Sequence, residues 1–133
     1  MVVKAIWRLS AKDQAEGIAK GEVSATEATQ SSIDRMREVN GALNAVVMDL
    51  SQQALEQADA LDSNRHKGGT LGPLHGVPVT IKINVDQKGW ATTNGLTALK
   101  DFTAHSDAPL VRNLQNAGAV VIGRTNTPEF SFR

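Results

Sequence analysis

Two short segments constrain the fold of this chain more than any others: VTIKINVD (79–86) and AVVIG (119–123). In the first, Val79, Ile81, Ile83 and Val85 alternate with Thr80, Lys82, Asn84 and Asp86. A strict period of two is the signature of a strand with one face buried. Lys82 then lies on the polar face, which is either solvent or the floor of a site. The second segment is a short apolar run of the kind found in strands covered on both faces. Between them the sequence predicts a helix. Ser106 or Asp107 is placed to cap it, Pro109 falls in its first turn, and Leu110, Val111, Leu114 and Ala117 share an inner face up to Gly118. Strand, connection, helix and strand make a βαβ unit, which implies parallel strands joined by a right-handed crossover.

In parallel sheets ligands bind beyond the carboxyl ends of the strands. Residues 82–86 and 124–129 both fall on that rim. The connection QKGWATTNGLTALKDFTAHS (87–106) far exceeds the usual length of about 4–6 residues, as site-lining loops often do. Trp90 within it either lines a pocket or plugs the core. Asn126 and Glu129 read equally well as supports of the rim or as a helix cap and a solvated carboxylate.

Upstream, the pattern is helical. Ser10 with Asp13 opens a short helix that Gly21 closes. Ser24 and Glu27 form the S-x-x-E capping box of a second helix, with Ala25, Ala28, Ile33 and Met36 at helical spacing. Asn40-Gly41 is expected to mark the turn after it. LNAVVM (43–48) reads as a brief strand, residues 51–65 as a third helix with Ala54, Ala58 and Leu61 on one side, and HKGGTLGP (66–73) as a glycine-rich loop. The fold class expected is α/β: N-terminal helices over residues 1–70, then a βαβ unit of a mixed sheet over residues 71–133.

Composition removes several function classes. Fourteen basic and fourteen acidic residues cancel, giving no electrostatic reason to expect nucleic acid or an anionic membrane. The absence of cysteine excludes disulfides, thiolate metal sites and a cysteine nucleophile. His66, His75 and His105 lack metal-ligand spacing, and Gly68, Gly69 and Gly72 are followed by no phosphate-binding lysine or serine. MVVKAIWRLSAKDQ turns polar too soon for a secretory signal, and no apolar run approaches the roughly 20 residues that span a bilayer. A cytoplasmic location is the default expectation. At the other end, Phe130 and Phe132 sit in EFSFR with nothing after them to cover them. Either the chain is the opening piece of a larger fold, or this tail tucks back onto its own core.

GPLHGVPVTIKINVD, then GWATTNG, then DAPLVRNLQNAGAVVIGRTNTPEF together resemble the N-terminal third of an amidase-signature hydrolase. The resemblance is strong over residues 72–130 and fainter over the helices before them. It implies that residues 1–133 form the first part of a single amidase domain within the larger amidase-signature fold. It also implies hydrolysis of a carboxylic amide to an acid and ammonia or an amine, with no cofactor and no metal. Enzymes of this family use a lysine, a serine in a cis peptide and a nucleophilic serine, and Lys82 matches the lysine. A serine hydroxyl is a weak nucleophile near neutral pH and needs an adjacent base. A lysine serves as one only when its amine is neutral, a form that burial favours. An apolar sheet face below and a covering loop above are expected to supply that burial.

Two positions depart from the family pattern. Ile83 stands where an aspartate is usual, and Arg124 where the common G-K-T-N has lysine. The glycine- and serine-rich segment that carries both serines has no counterpart here, and Ser31-Ser32 lies within a helix without flanking glycines. Catalysis by this piece alone is therefore not expected. The partners implied are a small-molecule amide, and the remainder of the amidase fold or a complementary chain; homo-oligomers stay open. Two other readings are the glutamine-hydrolysing subunit of a tRNA-dependent amidotransferase, and a non-catalytic remnant or interaction module.

Overall fold

A computed structural model describes residues 5–132; the first four residues of the leader and Arg133 lie outside them. Three helices come first: α1 (Ala11–Lys20), α2 (Ala25–Leu43) and, after strand β1 (Val46–Asp49), α3 (Ser51–His66). Strand β2 (Pro78–Lys82), helix α4 (Pro109–Asn116) and strand β3 (Val120–Thr125) complete the order. The sheet runs β1-β3-β2, with β3 parallel to β2 and antiparallel to β1. The βαβ unit and the mixed sheet are thus as expected.

β3 is central because it alone is apolar toward both sides. Val120 and Ile122 pack with Ile33 and Ala54 beneath α2 and α3. Val121 packs with Leu50, Ile81 and Val111 beneath α4, with Trp90 half-buried against them. The alternation in β2 does what period two demands: Ile81 and Ile83 are buried, Thr80 and Lys82 exposed. Gly76 sits where β2 is entered, at φ +78°, and a Cβ there would lie 2.5 Å from that of Ala25. Only glycine meets both conditions.

The helix starts follow their local signals. Ser10 Oγ accepts from Asp13 N–H, and Gly21 closes α1 in the left-handed conformation. Ser24 and Glu27 form the reciprocal capping box of α2. Asp62 adds to it from α3, accepting from Ala25 N–H at 2.8 Å, Thr26 N–H at 2.9 Å and the Thr26 hydroxyl at 2.8 Å.

Five expectations need correction. α2 does not turn at Asn40-Gly41 but runs to Leu43, ending on Asn44 at φ 49°. The Asn40 side chain makes the turn from inside the helix, accepting from Ala45 and Val46 N–H and donating to Val46 O. Three hydrogen bonds of about 1 kcal/mol each outweigh the roughly 0.5–1 kcal/mol cost of Gly41 in a helix. β1 accordingly begins at Val46 rather than at residue 43. α4 has no side-chain cap: Asp107 Oδ1 instead accepts from Lys88 N–H at 2.7 Å, tying the long connection to the helix entrance. Leu110 is not on the inner face and is 55% exposed, while Val111 is fully buried. Finally, the tail does not tuck back; Phe130 and Phe132 stand 55% and 77% exposed.

Candidate active site

Lys82 is the last residue of β2 and pairs with Thr125, the last residue of β3. Ile83 N–H donates to Thr125 O at 2.8 Å, and Val85 N–H folds back to Lys82 O at 3.0 Å. The lysine is therefore held at the opening of a tight turn, on the carboxyl rim expected of a parallel pair. Its side chain is exposed. Among the described residues no covering loop shelters it from water as expected.

The long connection folds back on itself instead. Ala104 N–H donates to Trp90 O and Thr92 N–H to Phe102 O, both at 3.0 Å, around a 3-10 turn at Thr97–Leu99. This flap and β1 enclose a cleft of about 340 Å³, lined in part by Val47, Met48, Ile83, Leu96, Lys100 and Asn126. Ile83, the replacement for the usual aspartate, lines that cleft with Val47, Met48 and Leu96, and Lys100 and Asn126 share it. A larger cleft of about 480 Å³ lies along α2 beside Trp7 and shares no residue with the rim.

Beyond β3 the chain crosses the rim as TNTPEFSF. Asn126 N–H donates to Ala45 O, and its Oδ1 accepts from Thr127 N–H, so it shapes the bend locally. Glu129 is exposed. Asn84 Nδ2 donates to Ser131 Oγ at 2.9 Å, and the Thr127 and Ser131 hydroxyls are 3.0 Å apart. Phe130 and Ser131 both adopt positive φ, an uncommon pair for non-glycine residues. Ser131 thus meets an amide and a hydroxyl, neither of which is a base, and Lys82 is not among its partners. No nucleophile and base are paired here among the described residues.

Arg124 is the residue whose role the sequence left open. It is 0% exposed, with Nη2 donating to Val85 O at 2.6 Å and Nη1 to Ala91 O at 3.1 Å. Burial lowers the pKa of the guanidinium, and the charge of Asp86 opposes that. Elsewhere, His75 lies buried with Nε2 3.0 Å from Leu61 O, and among the described residues no group of three His, Asp or Glu side chains is placed to hold a metal.

The Amidase family model matches residues 27–133. The chain belongs to the amidase family. It is 59% identical over 128 residues to the indoleacetamide hydrolase of Bradyrhizobium diazoefficiens, covering 96% of this chain and 24% of that protein. It is 40% identical over 127 residues to a subunit of the glutamyl-tRNA(Gln) amidotransferase of Moorella thermoacetica, covering 96% of this chain and 26% of that protein. A bacterial aryl acylamidase of the amidase-signature family superposes with a TM-score of 0.88 at 31% identity, over 94% of this chain and 26% of that one. The chain spans about a quarter of the length of the relatives it matches. Its α/β fold is the corresponding portion of the amidase-signature fold, and the family is one of amide-hydrolysing enzymes. Among the described residues no helix is long and apolar enough to cross a membrane.

Proposed function

We propose that residues 1–133 form the N-terminal part of a single-domain cytoplasmic amidase in which Lys82 is the base of a serine–cis-serine–lysine relay. Lys82 takes a proton from the cis serine, which takes one from the nucleophilic serine as it attacks the amide carbonyl. That proton returns from Lys82 through the cis serine to the departing nitrogen, and water, losing its proton to the same relay, cleaves the acyl-enzyme to the acid and frees the serine. Both serines come from a glycine- and serine-rich segment that follows residue 133 or is supplied by a complementary chain. The observation that supports this most is the position of Lys82 at the carboxyl end of β2, beside β3 and open on its polar face. That segment must then cover the amine and shield it from water. The 59% identity to an indoleacetamide hydrolase makes a primary arylacetamide the first substrate to try.

In the complete gene product, Lys82→Ala should lower kcat for indoleacetamide by about 100-fold or more, the scale of losing a positioned base, with the fold intact. Activity within a few-fold of the parent would remove Lys82 from the mechanism. A reading frame without a glycine- and serine-rich segment, in a protein with no partner chain, would remove the relay altogether. The 40% identity to an amidotransferase component supports a second reading, as the glutamine-hydrolysing member of such a complex. Glutamine hydrolysis and co-purification with partner subunits separate it from a stand-alone amidase.

A further inference from the structure

We propose that Arg124 is a positioning residue for Lys82, clamping the turn that Lys82 opens to the base of the flap; this rests on the reading of Lys82 as the base. Three observations carry it. The guanidinium is fully buried yet forms no ion pair among the described residues, its nearest partners being two backbone carbonyls. A charge so buried, with the Asp86 charge acting on it only from beyond ion-pair distance, is costly, so what it holds is held at the expense of stability. The carbonyls belong to different segments: Val85 closes the Lys82–Val85 turn, and Ala91 begins the flap at its bridge with Thr103. Arg124 itself is rigid, being in the central strand and paired with Ile81, the residue before Lys82. One planar fork thus fixes the segment after Lys82 from the same strand that fixes the segment before it. Donors on a forked plane hold two carbonyls in one geometry, whereas an ammonium is a compact donor on a flexible stem. The same buried clamp would be nearly useless for binding, because no part of it reaches the surface.

The test compares Arg124→Lys, Arg124→Met and Lys82→Ala in the complete gene product, reading kcat and KM for the amide and amide hydrogen exchange at residues 83–91. Arg124→Met should lower kcat about 100-fold with KM within about threefold, the pattern of a displaced catalytic group. Arg124→Lys, whose single ammonium cannot hold both carbonyls in one geometry, should recover only part of that, remaining about tenfold below the parent. Exchange at Ile83 and Val85 should quicken in Arg124→Met. Unchanged kcat and unchanged exchange in Arg124→Met would overturn the proposal, as would parallel losses in kcat, KM and thermal stability without recovery in Arg124→Lys. If Arg124→Met does not fold, Arg124→Lys decides alone: kcat lowered with KM held and faster exchange at Ile83 and Val85 supports the clamp, and parental values overturn it. Full activity in Lys82→Ala would instead defeat the base reading, while faster exchange at Ile83 and Val85 would still report the clamp.

Discussion

Asp62 reaches from the last turns of α3 to the first two amides of α2, and its energetics can be read from that geometry. Burial opposes ionisation of the carboxyl, but hydrogen bonds from Thr26 N–H, Ala25 N–H and the Thr26 hydroxyl, with the charge of Arg65, outweigh it and hold the pKa below its ordinary 3.8. A carboxylate whose folded pKa is depressed adds stability above its unfolded pKa and loses it as pH falls through the folded value. Unfolding free energy should therefore decline below pH 3.8, and Asp62→Asn should flatten that decline in urea titrations across the acid range. Asp62→Ala should cost about 1–3 kcal/mol at neutral pH, because two helix N–H groups lose their acceptor. Ile83 makes the opposite case. It is 3% exposed and faces Val47, Met48 and Leu96. Restoring the aspartate usual in the family, Ile83→Asp, should destabilise by roughly 2–4 kcal/mol, the cost of burying a carboxyl in place of a packed apolar side chain. Thermal unfolding of that variant at pH 7 checks it.

At the scale of elements, the helix caps divide by sequence distance. Ser10 with Asp13 and Ser24 with Glu27 lie three residues apart, and both caps form as their spacing dictates. Asn40 lies inside the helix it helps to end, so its sequence resembles a turn placed one step too early. Asn40→Ala should destabilise by about 1–2 kcal/mol through loss of its three hydrogen bonds, whereas Asn44→Gly, at a left-handed position, should change stability by less than about 0.5 kcal/mol. Paired denaturation curves for the two variants test that division. At α4 the local signal fails because Asp107 has a better partner than the helix in Lys88 N–H, nineteen residues back.

For the whole molecule, the large apolar side chains left in solvent are Leu43, Val47 and Leu110 together with Phe102 on the flap and Phe130 and Phe132 where the chain leaves the rim. Phe102, Phe130 and Phe132 are 62%, 55% and 77% exposed. Exposed aromatic surface of this kind favours association. The 133-residue chain alone should form concentration-dependent oligomers or bind a hydrophobic dye, and Phe130→Asp with Phe132→Asp should weaken both. Light scattering against protein concentration measures the difference.

Period-two alternation, the apolar run of β3, the capping boxes and the placement of Lys82 on the rim were determined by the sequence itself. The alternation, the apolar run and the caps depend on neighbours within a few residues, and the rim follows from the βαβ order of two strands whose ends the sequence marks. The tertiary structure decided the burial of Arg124, the hold of Asp62 on α2, the contact of Asn84 with Ser131 and the open exposure of Lys82. Those depend on residues 33, 39, 37 and 47 positions apart, or on chain that would have to cover the rim. A guanidinium can be drawn inside only once two loop carbonyls have been folded to meet it, and no local pattern records that they will be.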